Sequence, residues 1–456
     1  MVKKRSLIED AREIWRAGVR AVEASKLVRD FVEITDHSIR LGDETIEFAA
    51  CRRLVVVGFG KASGAMAVGL EQGIGEDVLR QLNAVGLVNV PDDRVVDSEF
   101  FTMSPCRPVA VNLPTDRVVD ATGEILALLR SVGPEDVVIC LISGGGSALL
   151  EKPVDSISLA ELRATTEFLS ASGASIYQLN AVRRELSQVK GGGLARQCNA
   201  RMVSLIISDV IGDDLSVIAS GPTCFSVGDA SALDVLRKFD PLREKLPEAV
   251  WGVLECSAPE ALPVDASPGV SNIVIGNLET AMLASRKRAI ELGYEVELVS
   301  PSGDEGEADT VGRSVAIEIA QSSLGSGSKC LISGGETTVS LPENPGRGGR
   351  NQHLVLAAIN SLLSFQLNQS ADYCLLSGGT DGEDGNVPVA GGWVDAAWIN
   401  EHDETQKQEL VSRSGKALQG CESFDFLDEH SLVFQTPATH TNVCDLRISL
   451  SYFRGN

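Results

Sequence analysis

Residues 54–64, Leu54-Val55-Val56-Val57-Gly58-Phe59-Gly60-Lys61-Ala62-Ser63-Gly64, run from an unbroken apolar stretch into a glycine-spaced turn, and then into small residues suited to a helix. An apolar strand without polar alternation has to be buried on both faces, as in a mostly parallel sheet covered by helices on each side. The pattern returns downstream. Ala84–Val90 reads as the next strand, and Asp136–Ile142 as a third that ends at Ser143-Gly144-Gly145-Gly146-Ser147. Arg201–Ser208 reads as another, with Asp209 just past its end. A helical stretch from about Leu159 to Ser187, broken near Gly173, lies between them, and Leu7, Ala11, Ile14, Val19 and Val22 mark an amphipathic helix near the start. Strands alternating with helices give an α/β fold class.

At 456 residues the chain exceeds one ordinary core, so two domains are expected. The pattern weakens between about Phe239 and Val270, where Pro241, Pro247, Pro259, Pro263 and Pro268 fall. That places the boundary so that residues 1–240 form one domain and 241–456 the other. Beyond it, Asn272–Ile275, Glu295–Val299, Lys329–Ile332, Asp372–Leu376 and Ser431–Gln435 read as strands of a second α/β layer, with a flexible turn at Gly325–Ser328. A strand followed by Ser-Gly-Gly recurs at Ser143, Ser333 and Ser377.

Composition narrows the function. The formal net charge of −23 repels nucleic acid and anionic lipid, and the richest basic run is only Lys3-Lys4-Arg5. An anionic substrate is still admissible if its site carries local positive groups. The 10 cysteines are scattered with no Cys-x-x-Cys pair, which fits free thiols in a reducing, cytoplasmic setting rather than a zinc ribbon or a disulfide framework. The N-terminal stretch has no apolar run long enough for a signal peptide or a membrane span. The five histidines show no metal-binding spacing.

Chemistry is expected at the glycine loops, because ligands of α/β proteins sit outside the carboxyl ends of the strands. Ser143-Gly144-Gly145-Gly146-Ser147 offers backbone N–H groups to a phosphate, with a helix entrance behind them. Gly58-x-Gly60-x-x-x-Gly64 approaches a dinucleotide fingerprint, but its partner carboxylate is missing, since the following strand ends Asn89-Val90-Pro91. Lys61 inside that loop can neutralise a phosphate or a carboxylate. Gly346-Arg347-Gly348-Gly349-Arg350-Asn351-Gln352 sets two guanidinium groups in a glycine loop before a helix, where Arg forks bind anions bidentately. Asp209 and Asp213 after one strand, and Asp381 with its neighbours after another, can hold Mg²⁺ with water or accept a substrate proton.

Together, GFGKASGAM, LISGGGSALL, LNAVRRELSQVKGGGLAR, LIISDVIGDDLSVIASGPT, LISGGETTVSL, GRGGRNQHLVLAA and LSGGTDGEDG resemble the glycerate 2-kinases that carry a MOFRL domain, from about Val55 to Asp445. Asn112-Leu113-Pro114 looks like the animal branch. The resemblance implies a Rossmann-like first domain, a second α/β domain containing the MOFRL region (about 327–450), and an active site in the cleft between them. It implies ATP-dependent phosphorylation of D-glycerate to 2-phosphoglycerate with ATP and Mg²⁺, no nucleic-acid or membrane partner, and leaves a homodimer open. Its basic pair falls on Lys61 and Arg350. From the residues themselves, Asp209 or Asp213 is the expected proton acceptor or metal holder, with Asp209 placed among the catalytic residues. The matched stretches offer Gly58, Gly60, Ser143, Gly144, Gly145, Gly146, Ser147, Lys190, Arg347, Asn351 and Asp381 as substrate- or phosphate-binding residues. The chain departs from the family pattern at His353 (usually Glu), Pro388 (usually acidic) and His440 (usually Gly). A hydroxypyruvate reductase, or a non-catalytic sugar-acid or nucleotide-binding protein of the same fold, stands as the alternative.

Overall fold

In the computed structural model the opening stretch is a strand buried at every position, and so is its counterpart before the Ser-Gly-Gly-Gly-Ser loop. The structure describes residues 6–108, 113–225, 231–256, 269–301, 303, 305–322, 327–365, 371–437 and 439–453. Asn112, Pro259, Pro263, Pro268 and the start of the expected Gly325–Ser328 turn lie outside the described residues. The chain divides into two compact units, one of residues 24–275 and the other of residues 1–23 with 276–456. This division differs from a boundary at 240 because the Glu248–Cys256 helix packs Val250, Trp251 and Leu254 into a cluster with Leu162, Leu179 and Leu236. The first helix, Leu7–Ala21, likewise belongs with the later residues: Trp15 donates its indole N–H to Gly378 O at 3.2 Å and meets Phe434 edge to face.

In the 24–275 unit a small antiparallel sheet of β1 (Val32–Ile34), β2 (Ser38–Leu41) and β3 (Glu44–Glu47) precedes the main sheet. The main sheet contains β4 (Leu54–Phe59), β5 (Val85–Pro91), β6 (Phe101–Arg107), β7 (Val137–Ile142), β8 (Arg201–Ile207) and β9 (Val270–Gly276). Its order is β6-β5-β4-β7-β8-β9, and β4–β5, β4–β7, β5–β6 and β7–β8 are all parallel. The chain lays strands outward on one side of β4 and then returns to lay β7 on the other. This is the doubly wound order, whose switch point lies between β4 and β7. β9 corrects the expectation for Asn272–Ile275, which extends the first sheet rather than opening the second. Its seven residues carry no sign in their own composition of which sheet they join.

The other unit has a mixed sheet of β10 (Glu295–Val299), β11 (Gly327–Gly335), β12 (Ala371–Gly379), β13 (Gly391–Asp395), β14 (Val433–Phe434) and β15 (Asp445–Phe453), in the order β10-β11-β15-β12-β13-β14. β15 runs antiparallel to both β11 and β12 and is central, although sequence reasoning did not single it out. Among the described residues no helix is long and apolar enough to cross a membrane.

At the amino ends of β4 and β7 one buried carboxylate ties the two strands. Asp136 accepts from Arg52 Nε at 2.9 Å and Nη2 at 2.8 Å, from Arg53 at 3.3 Å and from Gly133 N at 3.0 Å. The Arg52 hydrogen bonds outweigh burial and hold its pKa down to about 2, against an ordinary 3.8. A depressed carboxylate contributes stability that is complete above its unfolded value and is lost as pH falls through the folded one. Asp136→Asn is therefore expected to cost about 1–2 kcal/mol at neutral pH, with half-exposed Arg52 limiting the gain. The difference from the parent should shrink between roughly pH 4 and pH 2. Urea titrations across that range measure it, and a pH-independent difference would contradict the assignment.

Candidate functional site

The carboxyl ends of β4 and β7 carry the two glycine loops, so the switch point brings both to one edge of the sheet. The loops interlock. Lys61 N donates to Gly144 O at 2.9 Å, Ala62 N donates to Ser143 Oγ at 2.9 Å, and Ser143 N donates back to Phe59 O at 3.3 Å. Gly60 has φ +132°, and a Cβ there would stand 2.5 Å from the Ser143 carbonyl oxygen, so no other residue fits this approach. Ser63 Oγ caps the turn by donating to Gly60 O at 2.8 Å, and Asn89 at the end of β5 donates to Leu149 O at 3.0 Å. Asn89, near the end of a strand that lacks the carboxylate of a dinucleotide site, ties a third strand end to the segment after the glycine loop.

Within this frame Lys61, Gly145 and Asp209 come together. The Lys61 stem passes along Gly145, whose would-be Cβ lies 3.4 Å from Cγ and 3.9 Å from Cδ and Cε. The Gly145 N–H donates to Asp209 Oδ2 at 3.2 Å. Gly145 takes φ +73° and, with Ser147, is the partly exposed portion of a loop whose other residues are buried. Asp213 sits in a left-handed turn (φ 55°) further along the same segment. Among the described residues no three metal-ligating side chains are gathered. Asp209 alone would suit Mg²⁺ brought with nucleotide phosphates, because that ion keeps waters and needs few protein carboxylates.

Other expected site residues face inward. Gly58 lies within β4 and Ser143 is fully buried, holding Ala62. Lys190 is 2% exposed and spends its ammonium on Ser147 O (3.2 Å), Leu150 O (3.3 Å) and Glu151 (3.4 Å). Burial lowers its pKa, with Glu151 opposing that fall. Ser147 Oγ lies 3.0 Å from Ser220 Oγ, which donates to Asn180 Oδ1 at 3.2 Å. Ala219 and Ser220 both have left-handed backbone (φ 51° and 64°), a strain that side-chain-bearing residues seldom carry in succession.

In the other unit the Arg350–Ser364 helix starts directly after the glycine loop. Arg350 Nε donates to Asp445 Oδ2 at 2.6 Å and Nη2 to Oδ1 at 3.2 Å, and Nη1 pairs with Glu336. Burial opposes the Arg350 charge, but the two carboxylates outweigh it and raise its pKa. Arg347 turns elsewhere, pairing with Asp425 and lying 4.8 Å over the Phe424 ring. Asn351 is buried and held by Ser377 Oγ (2.6 Å) and Asp384. Asp384 also accepts both first-turn N–H groups, from Asn351 at 3.0 Å and Gln352 at 2.9 Å. Burial first, and then Asp445, raises the Asp384 pKa to about 6 against those hydrogen bonds. Asp381 Oδ1 accepts from Glu383 N at 3.0 Å. His440, where the family pattern has glycine, has φ 52°, the conformation that explains a glycine there.

A doubly wound sheet with glycine loops and a lysine at its switch point places this unit among the doubly wound α/β proteins. A domain of unknown function, DUF4147, matches residues 10–255, and the MOFRL family matches 329–445. Human glycerate kinase is 31% identical, the alignment spanning 97% of this chain and 93% of that protein. The glycerate 2-kinase of Pyrococcus horikoshii is 31% identical over 96% of this chain and 98% of its own. The solved glycerate kinase of Thermotoga maritima superposes with a TM-score of 0.76 at 30% identity, covering 97% of this chain and 99% of that one. The chain belongs to the glycerate kinase family.

The contrast between the two arginines is testable. Arg350→Lys keeps a charge but cannot span both oxygens of Asp445. It should lower turnover at least tenfold, whereas Arg347→Lys, at an exposed pair, should stay within about twofold of the parent. Steady-state assays at saturating substrate, with circular dichroism as a folding control, make the comparison; equal mild losses would overturn it.

Proposed function

We infer that the chain transfers the γ-phosphoryl group of ATP to the 2-hydroxyl of D-glycerate, giving ADP and 2-phosphoglycerate. The observation that carries this reading is the convergence of Lys61, the Gly145 turn and Asp209 at the switch point between β4 and β7. Phosphoryl transfer asks a protein chiefly for positioning and charge stabilisation, and this edge supplies glycine backbone, a cation and a carboxylate within one interlocked pair of loops.

In the proposed reaction the glycerate 2-oxygen forms the new P–O bond, the bond between the β,γ-bridging oxygen and the γ-phosphorus breaks, and the hydroxyl proton passes to Asp209. Lys61 carries positive charge to the phosphoryl oxygens as the bonding changes. Gly144 and Gly145 let phosphate or carboxylate oxygens come close to the main chain. Mg²⁺, when bound with the nucleotide, would neutralise phosphate charge and would draw on Asp209 from the protein side. Arg350 is assigned to the same reaction, pre-ordered by Asp445 and Glu336 so that little side-chain entropy remains to be lost on binding. A homodimer in the cytoplasm is the accompanying proposal.

Production of ADP in a coupled assay with D-glycerate tests the activity, with NADH oxidation by hydroxypyruvate as the contrasting assay. Lys61→Ala should lower kcat about 100- to 1000-fold, the loss of roughly 2.7–4 kcal/mol of transition-state stabilisation, with the thermal midpoint unchanged. Parent-like turnover in that variant would remove Lys61 from the reaction.

A further inference from the structure

Among the described residues Arg183, beside the glycine loop, has neither a hydrogen bond nor an ion pair. Lys190, one of the cations expected to meet substrate, is sealed inside and committed to Glu151 and two carbonyls. Glu151 is itself 1% exposed and fully engaged. It pairs with Lys190, accepts from Ser187 Oγ at 2.5 Å, and has its backbone N–H held by Thr122 Oγ1 at 3.2 Å. Arg183 lies close enough to interact electrostatically with both Glu151 and Lys190. This cluster therefore holds two cations against one carboxylate. Among the described residues no carboxylate or carbonyl forms an ion pair or hydrogen bond with the Arg183 guanidinium.

The placement of Arg183 is as specific as its charge. It sits in the last turn of the Ile176–Glu185 helix, three residues after Asn180, so the two share a helix face. Asn180 is the end of the hydrogen-bonded chain that runs through Ser220 to Ser147 in the glycine loop. Ser220 and the residue before it, Ala219, both have left-handed backbone. Arg183 is half-buried, and none of its nitrogens is both wholly sealed and unsatisfied. Burial works against its charge and Glu151 only partly restores it. A guanidinium that has lost part of its hydration and shares a single carboxylate with Lys190 is under-compensated in the empty protein, and such a site becomes favourable when a ligand brings further negative charge.

We propose that Arg183 binds a negatively charged oxygen group of the substrate, a carboxylate or a phosphate, at the Ser147 end of the glycine loop. The planar fork of Arg183 matches either group bidentately, and Lys190 acts instead as a positioning residue that fixes the loop from below. The proposal rests on the kinase reading for the identity of the ligand, though its charge argument stands on the cluster alone.

The test compares the parent with Arg183→Gln, which keeps most of the stem, and Arg183→Lys, which keeps the charge without the fork. Thermal midpoints are measured alone and with inorganic phosphate, D-glycerate or ATP added separately. In the absence of ligand, Arg183→Gln should melt at or above the parent, because a poorly compensated charge has been removed. The upward shift produced by one ligand class should disappear, and KM for the corresponding substrate should rise at least tenfold while kcat changes less. Arg183→Lys should recover only part of the affinity. Loss of the D-glycerate response assigns a carboxylate; loss of the phosphate and ATP responses assigns a phosphate.

A lower midpoint with intact ligand shifts would make Arg183 structural and overturn the proposal, as would shifts and KM values equal to the parent's. A parent that responds to none of the three anions also overturns it. If the parent binds an anion but forms no ADP with D-glycerate, the kinase reading fails, and loss of that anion's shift in Arg183→Gln still supports the assignment.

Discussion

The frame of the candidate site depends on the contact between the loops that leave β4 and β7. Two strands paired in parallel present their carboxyl ends side by side, but their loops interlock only because Gly60 lacks a side chain and Ser143 turns its hydroxyl to the next loop's N–H. Lys61 is delivered by that contact. Its backbone N–H is fixed by Gly144, and its stem is guided along Gly145, so the cation's position follows from main-chain packing rather than from a flexible side chain finding its place. The Asp136 clamp at the opposite ends of the same strands holds the pair that carries this contact.

Support for the loop is layered from beneath by groups that never meet solvent. Glu151 and Lys190 form a buried ion pair whose remaining hydrogen-bonding capacity is spent on Ser187 and on loop carbonyls. Removing either partner would strand the other as an uncompensated buried charge. The arginine loop of the other unit uses the same device. Asp384 anchors the first turn of the Arg350–Ser364 helix while Asp445 and Glu336 orient the guanidinium. A residue chosen for its charge is thus made precise by neighbours chosen for their geometry.

The departures from the family pattern have different physical weights. His440 adopts a left-handed backbone that glycine would accept without strain, at an exposed position. His353 is buried in the Arg350–Ser364 helix, where burial lowers its pKa and Nδ1 has no hydrogen-bond partner.

Apolar runs ending in glycine are local signals, and so β4, β5, β7 and β8, the helical break near Gly173 (φ 81°) and the two glycine loops were all legible in the chain. The charged residue types were legible as well, because a lysine or arginine between glycines announces an anion. Their duties were not. Lys190, Ser143 and Asn351 share the composition of binding residues, and only burial distinguishes a side chain that meets a ligand from one that holds the loop meeting it. Strand order, the centrality of β15 and the assignment of β9 to the first sheet depend on pairings between residues far apart in sequence, which no local pattern encodes. The sequence by itself determined which residues can carry charge and where the chain must turn. Tertiary structure decided which of those charges are cancelled inside and which, like Arg183, are only partly compensated, because charge compensation is a property of spatial neighbours.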